Sequence, residues 1–342
     1  MELPTYEAAM ADAGRSTFDP PRPPVSRDDF EIAIICALTL EADAVEGLLD
    51  HCWDDDGIDL GKQKSDPNAY STGVIGRHNV VVAHMPGMGK VYAAAVAAHC
   101  RSSFPNVKLA IVVGVSGVVP FYQDGDQNRR EIVLGDVILS SGVVQYDLGK
   151  QSPELFLRKD TLLDSLGRPS TEIRALLAKL QTRGGRRRMQ NLMTKYMGVL
   201  RSEQDLRAGY PGATHDRLFP ADYRHVADGK SCVKCRCNGL VVNRQRLEQD
   251  SPTPDVHFGL MASGDTVLKS GVDRDRIASQ EEILGFEMEG SGVWDTFPCV
   301  IVKGGCDYAD SHKNDMWKRY AAATAAACMK ALLSEWKSSA SG

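Results

Sequence analysis

The strongest constraint on this 342-residue chain is a set of short, nearly unbroken apolar runs that end close to glycines or acids. They are Phe30–Ala37, Asn79–Ala83, Val107–Val113, Val256–Met261 and Val300–Val302. Runs of this kind are strands buried on both faces, as in a largely parallel sheet. Between them, Ala42, Val45, Leu48 and Leu49 recur at helical spacing, and an Ala-rich segment runs to about Cys100. Tyr320–Leu333 is built of strong helix formers. Strands alternating with helices predict an α/β fold with a mixed, largely parallel central sheet covered by helices on both faces. Ligands of such sheets sit at the carboxyl ends of strands, so the chemistry is expected just past each run.

One stretch stands out on that ground. Phe286-Glu-Met-Glu-Gly290 precedes the strand at Val300, which opens into Gly304 and Gly305 and then reaches Asp307 and Asp310. Glu287 and Glu289 flank a methionine. Acids set among apolar residues are often half-buried and suited to proton transfer. The same two acids would equally suit the solvated start of a helix, where negative charge is favoured. Glu41 likewise falls at a strand end and a helix start. The turn Gly87–Lys90 invites a phosphate-loop reading, but His84 and Val91 stand where that loop needs Gly and Ser or Thr. Its glycines are expected instead to allow close helix–strand approach.

Composition narrows the class of partner. A net charge of −5, with 25% charged residues, leaves no electrostatic footprint for nucleic acid or an anionic membrane. The one basic run, Arg183-Gly-Gly-Arg-Arg-Arg188, is short and reads as a solvated loop. The chain shows no apolar run long enough for a membrane span and no leader-like start, and several of its nine cysteines lie in apolar runs. A reducing, cytoplasmic setting is expected.

Residues 1–27, with Pro20-Pro-Arg-Pro-Pro24, read as a flexible arm ahead of a domain spanning 28–340. The pattern is interrupted at about 149–254, an expected insertion that is polar and turn-rich apart from an amphipathic helix from Ser170 to Leu180. Within it lie Cys232, Cys235 and Cys237, with His215 and His225 upstream. These suit either a structural zinc or unpaired loop thiols, and no metal is assigned.

In this order, four pieces resemble the purine nucleoside phosphorylase / nucleosidase superfamily, and most nearly its fungal nucleosidase-like domains. They are Ile32–Glu41, Gly87–Lys90, Gly114–Gly117, and Ser263-Gly-Asp265 followed by Phe286–Gly290 and Cys306–Asp310. The resemblance covers about residues 28–148 and 255–335. It implies a phosphorylase/hydrolase-like fold, no organic cofactor, a purine nucleoside as small-molecule partner, and a homo-oligomer. Asp307 matches the acid that protonates the departing purine, Glu289 the acid that accepts from the ribose hydroxyls, and Met288 the residue packing under the sugar. Glu287, Phe286, Val267, Thr266, Ser116, Gly114 and Lys303 complete the implied substrate site, with Leu268 near the base. Protonating the base requires that Asp307 carry a proton in a partly desolvated place.

Resemblance also bears on the nucleophile. Phosphorylases of this kind carry an arginine where this chain has Glu41, another at Val112, and a serine or threonine at Val115. A carboxylate at 41 repels phosphate and takes a proton from water, so hydrolysis is expected ahead of phosphorolysis. Lys303 leaves some affinity for anions open. His312 and Lys313 are candidates to touch a 5′ substituent, with capping of the last helix as the other reading of His312. A ligand-sensing module is the rival from another class. The chain's end soon after the last helix is taken to favour a free-standing enzyme.

Overall fold

The computed structural model describes residues 22–124, 128–227, 232–235, 237, 239–248 and 252–337. Its centre is a nine-stranded sheet. The strands are β1 (Ile32–Cys36), β2 (His51–Cys52), β3 (Ala69–Ile75), β4 (His78–His84), β5 (Leu109–Val118), β6 (Val137–Gln145), β7 (Val256–Ser263), β8 (Ile283–Glu287) and β9 (Cys299–Asp307). They lie in the order β8-β7-β6-β9-β5-β1-β4-β3-β2. β1 runs parallel to β4 and β5, β9 parallel to β5, and β7 parallel to β6 and β8. The pairs β6–β9, β3–β4 and β2–β3 are antiparallel. β8 also pairs with the far end of β5, Gly285 against Val118 and Phe286 against Gly117. Strands β8, β7, β6, β9 and β5 thereby close on themselves, and the rest of the sheet extends from this small barrel. The expected mixed, largely parallel sheet is what forms.

Besides a helical turn at Cys232–Cys235, the helices are α1 (Thr39–Glu46), α2 (Lys90–Ser103), α3 (Thr171–Gln181), α4 (Arg183–Ser202), α5 (Gly271–Glu281), the single turn α6 (Gly290–Val293) and α7 (Lys318–Glu335). Alternation along β1 sorts the two cores. Ile32, Ile34 and Cys36 face α7, while Ala33 and Ile35 face α2 and Trp294. α7 is buried from Tyr320 to Leu333. It comes so close to β9 that a Cβ on Gly304 would stand 2.0 Å from the Ala321 carbonyl oxygen, so glycine is required there. No helix of the described residues is long and apolar enough to cross a membrane.

The stretch 149–254 shares its core with α7. Ile173, Leu176, Leu177 and Leu180 of α3 are buried, as their spacing predicts. The Arg183–Arg188 run corrects the sequence reading: it is the first turn of the 20-residue helix α4, not a solvated loop. Thr182 caps it, its Oγ1 accepting from the Gly185 N–H at 3.1 Å. Met189, Met193, Met197 and Leu200 then bury one face at helical spacing. Arg188 pairs with Glu335 at 2.9 Å and Arg186 lies over the Phe258 ring. Two glycines and a polar majority hid this face from a composition-based reading. Of the expected arm, residues 1–21 lie outside the described residues. Residues 27–29 form one turn capped by Ser26.

The α4 assignment has a measurable consequence. Met193→Ala should cost about 2–5 kcal/mol in urea unfolding, as a buried methionine does, while exposed Arg187→Ala should stay within about 0.5 kcal/mol. Equal, small effects would return the segment to a surface loop.

Candidate active site

β1 ends at Cys36 and α1 begins at Thr39, so Glu41 sits in the first turn with its carboxylate turned back on the strand end. Oε2 accepts from the N–H groups of Ala37 (3.0 Å) and Leu38 (2.9 Å). Oε1 accepts from the Val115 N–H at 2.8 Å, inside the neighbouring β5. Room for it exists only because residue 114 is glycine, since a Cβ there would lie 2.2 Å from Oε1. Burial pushes the Glu41 carboxyl above its ordinary range. The Glu289 charge adds to this, while Lys303 and the backbone donors oppose it.

At the end of β8 the chain turns sharply around Glu287. Its carboxylate accepts from the N–H groups of Glu289 (2.9 Å) and Gly290 (2.9 and 3.1 Å). This turn aims Glu289 inward. Glu289 Oε2 accepts from Lys303 Nζ at 2.9 Å, and Oε1 from the Gly89 N–H at 3.4 Å. The two acids of this stretch are both 4% exposed, so the solvated helix-start reading does not apply. Burial raises Glu287, with Lys303 pulling down and Glu289 pushing up. Lys303, projecting from β9, is only 1% exposed. Burial works against its charge, but Glu289, Glu41 and Glu287 outweigh it and hold the ammonium well above the lysine range.

Asp307 closes β9, and the turn after it places Ala309 in the left-handed region at φ 50°. The Ala309 N–H donates to Asp307 Oδ1 at 2.9 Å. Lys313 Nζ stands 2.9 Å from Oδ2, and the Cys306 thiol donates to that oxygen at 3.2 Å. Burial opposes the Lys313 charge, yet Asp307 and Cys306 beside it raise it overall. The inserted stretch holds this turn from outside. Tyr308 OH donates to Asp216 at 2.6 Å and accepts from Arg244 at 2.9 Å, while Arg274 of α5 donates to the Tyr308 carbonyl at 2.9 Å.

These elements enclose a cavity of about 330 Å³, at the small end of the range for ligand pockets. Glu41, Ser116, Phe286, Glu287, Met288, Glu289 and Asp307 line it, with Thr266, Val267 and Leu268 along one side. Val267 is 43% exposed, which marks that side as the mouth. Gly114 and Lys303 stand behind the lining, one making room for Glu41 and the other pairing with Glu289. Ser116 Oγ is buried and has no hydrogen-bond partner among the described residues, so a polar ligand has a waiting contact.

Sequence reasoning missed a contributor in a turn that it had noted. Met88 lines the cavity from between the two glycines of the Gly87–Lys90 turn, a position that marked it. Lys313, a candidate for a 5′ substituent, lines the cavity with its ammonium paired to Asp307. His312 neither caps α7, which Trp317 precedes, nor lines this cavity. Its ring stacks on Phe219 at 4.1 Å, and burial, with His225 and Arg217 adding, pushes it down to about 4. Lys90 is engaged by Asp147 at 2.7 Å, and its N–H by Asp265 at 2.9 Å, in keeping with rejection of a phosphate loop. Of the candidate metal ligands, His225, Cys232 and Cys237 converge, while the His215 carbonyl accepts from Trp317 Nε1 at 3.2 Å. The Cys235 side chain lies outside the described residues.

Comparison with known proteins agrees with the fold. The model of the phosphorylase superfamily matches residues 31–333. A nucleotide-binding leucine-rich repeat (NLR)-like protein of Hyaloscypha variabilis is 32% identical over 319 residues, which is 91% of this chain but 30% of that protein. A 5′-methylthioadenosine/S-adenosylhomocysteine nucleosidase of Mycobacterium bovis is 21% identical over 88% of this chain and 95% of its own length. Among solved structures, the Helicobacter pylori enzyme of that name superposes with a TM-score of 0.55 at 17% identity, covering 90% of this chain and 99% of its own. Futalosine hydrolase of the same organism gives 0.53, again at 17%, over 91% of this chain and all of that one. The match to the family model runs through the sheet and every part of the cavity wall, and on that basis the chain belongs to the phosphorylase superfamily.

Proposed function

We propose that the chain hydrolyses the N-glycosidic bond of an adenosine-like purine nucleoside, releasing free base and ribose. One observation carries the reading: Glu41, Glu287 and Glu289 meet around a single buried ammonium, Lys303, which Glu289 already holds. An incoming phosphate would meet net negative charge, at roughly 4 kcal/mol per unit pair at about 4 Å and an effective dielectric near 20. Water meets no such barrier.

In this scheme Glu41 takes a proton from water as its oxygen attacks the anomeric carbon. The C–N bond breaks, its electron pair leaves with the base, and the base is protonated from the Asp307 end. Lys313, 2.9 Å from Asp307, belongs to that end of the cavity, where its ammonium holds the Asp307 carboxyl in place and sets positive charge beside the departing base. Glu289 keeps lone pairs free for the ribose hydroxyls beyond those used by Lys303 and Gly89. Met288 and Phe286 pack against the ligand, with Thr266 and Val267 at the base and Ser116 Oγ as a further polar contact. The relatives named as nucleosidases support water as the acceptor. The reading extends to a cytoplasmic homo-oligomer of the fungal nucleosidase-like branch, built as an arm (1–27) and one domain (28–340) with its insertion at 149–254. A second reading, a nucleoside-sensing module, is favoured by the NLR-like relative, of which this chain spans 30%.

Asp307→Asn should lower kcat/KM for adenosine by about 10²–10⁴, with adenine binding by calorimetry largely kept. Unchanged turnover would remove Asp307 from the chemistry, and binding without turnover in the wild type would favour the sensing module.

Glu41 must be ionised to act as base, and burial raises its carboxyl. The acid limb of kcat/KM should therefore lie above the ordinary glutamate range of about 4.3. Lys303 holds Glu41 down, so Lys303→Met should move the limb to higher pH and cost about 3–5 kcal/mol of stability. A limb that stays put in folded Lys303→Met would mean that another group controls it.

A further inference from the structure

We infer that His225, Cys232 and Cys237 form a zinc site that fastens the inserted stretch to the turn carrying Asp307. One donor atom from each residue lies within 4.8 Å of the other two. In tetrahedral zinc, with bonds of about 2.0–2.3 Å, donors stand roughly 3.3–3.8 Å apart. A contraction of at most about 1.5 Å brings these three into place. Two sulfurs and an imidazole are the soft, tetrahedral donor set that selects zinc over magnesium or calcium. They fill three positions and leave the fourth to a further donor. Binding converts both thiols to thiolates, and their protons go to solvent.

The local fold is shaped like a ligand knuckle. Cys232 opens a single helical turn, and the Cys237 N–H returns to the Cys232 carbonyl at 3.0 Å. Arg217 donates to the Cys237 carbonyl at 3.2 Å, and the Gly239 N–H donates to Tyr223 OH at 3.1 Å. Leu218 and Phe219 anchor the start of this stretch in the core, but nearer the cysteines the described apolar side chains are open, Val226 being 63% exposed and Leu240 87%. Loop-rich segments without a core of their own are the ones that metals hold together.

The site also reaches the cavity. The His225 N–H donates to Ser311 Oγ at 2.9 Å, and its ring meets the His312 ring edge-on at 5.3 Å. Ser311 and His312 stand between Asp310 and Lys313, the partner of Asp307. Fixing His225 in a metal shell therefore fixes the turn that aims the Asp307–Lys313 pair. The metal is structural, and the inference holds whether the cavity hydrolyses or only binds.

The test is elemental analysis of the full chain, purified without a metal-affinity step after expression with zinc. About one zinc per chain is expected, released by a thiol-modifying reagent and absent from Cys232→Ser/Cys237→Ser and His225→Gln. Cobalt(II) added to the metal-free wild type should give tetrahedral d–d absorption and a charge-transfer band from at least two thiolates, a readout that needs no variant to fold. Hydrogen exchange should then rise on chelation in residues 217–227 and 307–313 but not in β1 or β4. A folded wild type that takes up neither metal would overturn the site. So would zinc retained by the variants, or a native disulfide between Cys232 and Cys237.

Discussion

The buried ammonium of Lys303 is the interaction on which the site depends. β9 carries it into a space where Glu41, Glu287 and Glu289 meet with almost no solvent. Three carboxyl groups without it would not stay ionised there, and one of them would take up a proton or leave. Two of the acids are also held by backbone N–H groups: Glu41 by those just past β1 and in β5, and Glu287 by those of the turn it heads. The barrel closure of β8 onto β5 brings those ends together. Architecture and electrostatics are therefore one problem here, since the sheet order sets which charges meet.

That arrangement also explains how the cavity is divided. The acidic end surrounds Lys303, whereas Asp307 is paired with a second ammonium, Lys313, supplied by the turn after β9. A ligand spanning the two would place its hydroxyl-bearing part among acids and its leaving part against a proton-carrying pair. The inserted stretch braces the second end through Asp216, Arg244 and His225. Its helices meanwhile complete the core around α7.

Much of this was legible in the chain. Unbroken apolar runs such as Ile32–Cys36 and Leu109–Val113 announce buried strands, and acids just past strand ends announce the site. Glu41, Glu289 and Asp307 come from strands distant in sequence, yet line one cavity. What stayed hidden was whatever depends on a neighbour. α4 has a polar, glycine-containing start, and its methionine face makes sense only against α7. Strand β3, next to the short edge strand β2, begins Ala69-Tyr-Ser-Thr, with no clean alternation to mark it. The partner of Lys313 and the stacking of His312 on Phe219 are tertiary facts that no local pattern encodes.

The central claim is that the acid-lined cavity admits a neutral nucleophile. Its most direct measurement is a turnover of adenosine in ¹⁸O-labelled water with inorganic phosphate present. The account predicts ribose carrying the label at its anomeric oxygen and no sugar phosphate. Ribose 1-phosphate, formed without label, would contradict it.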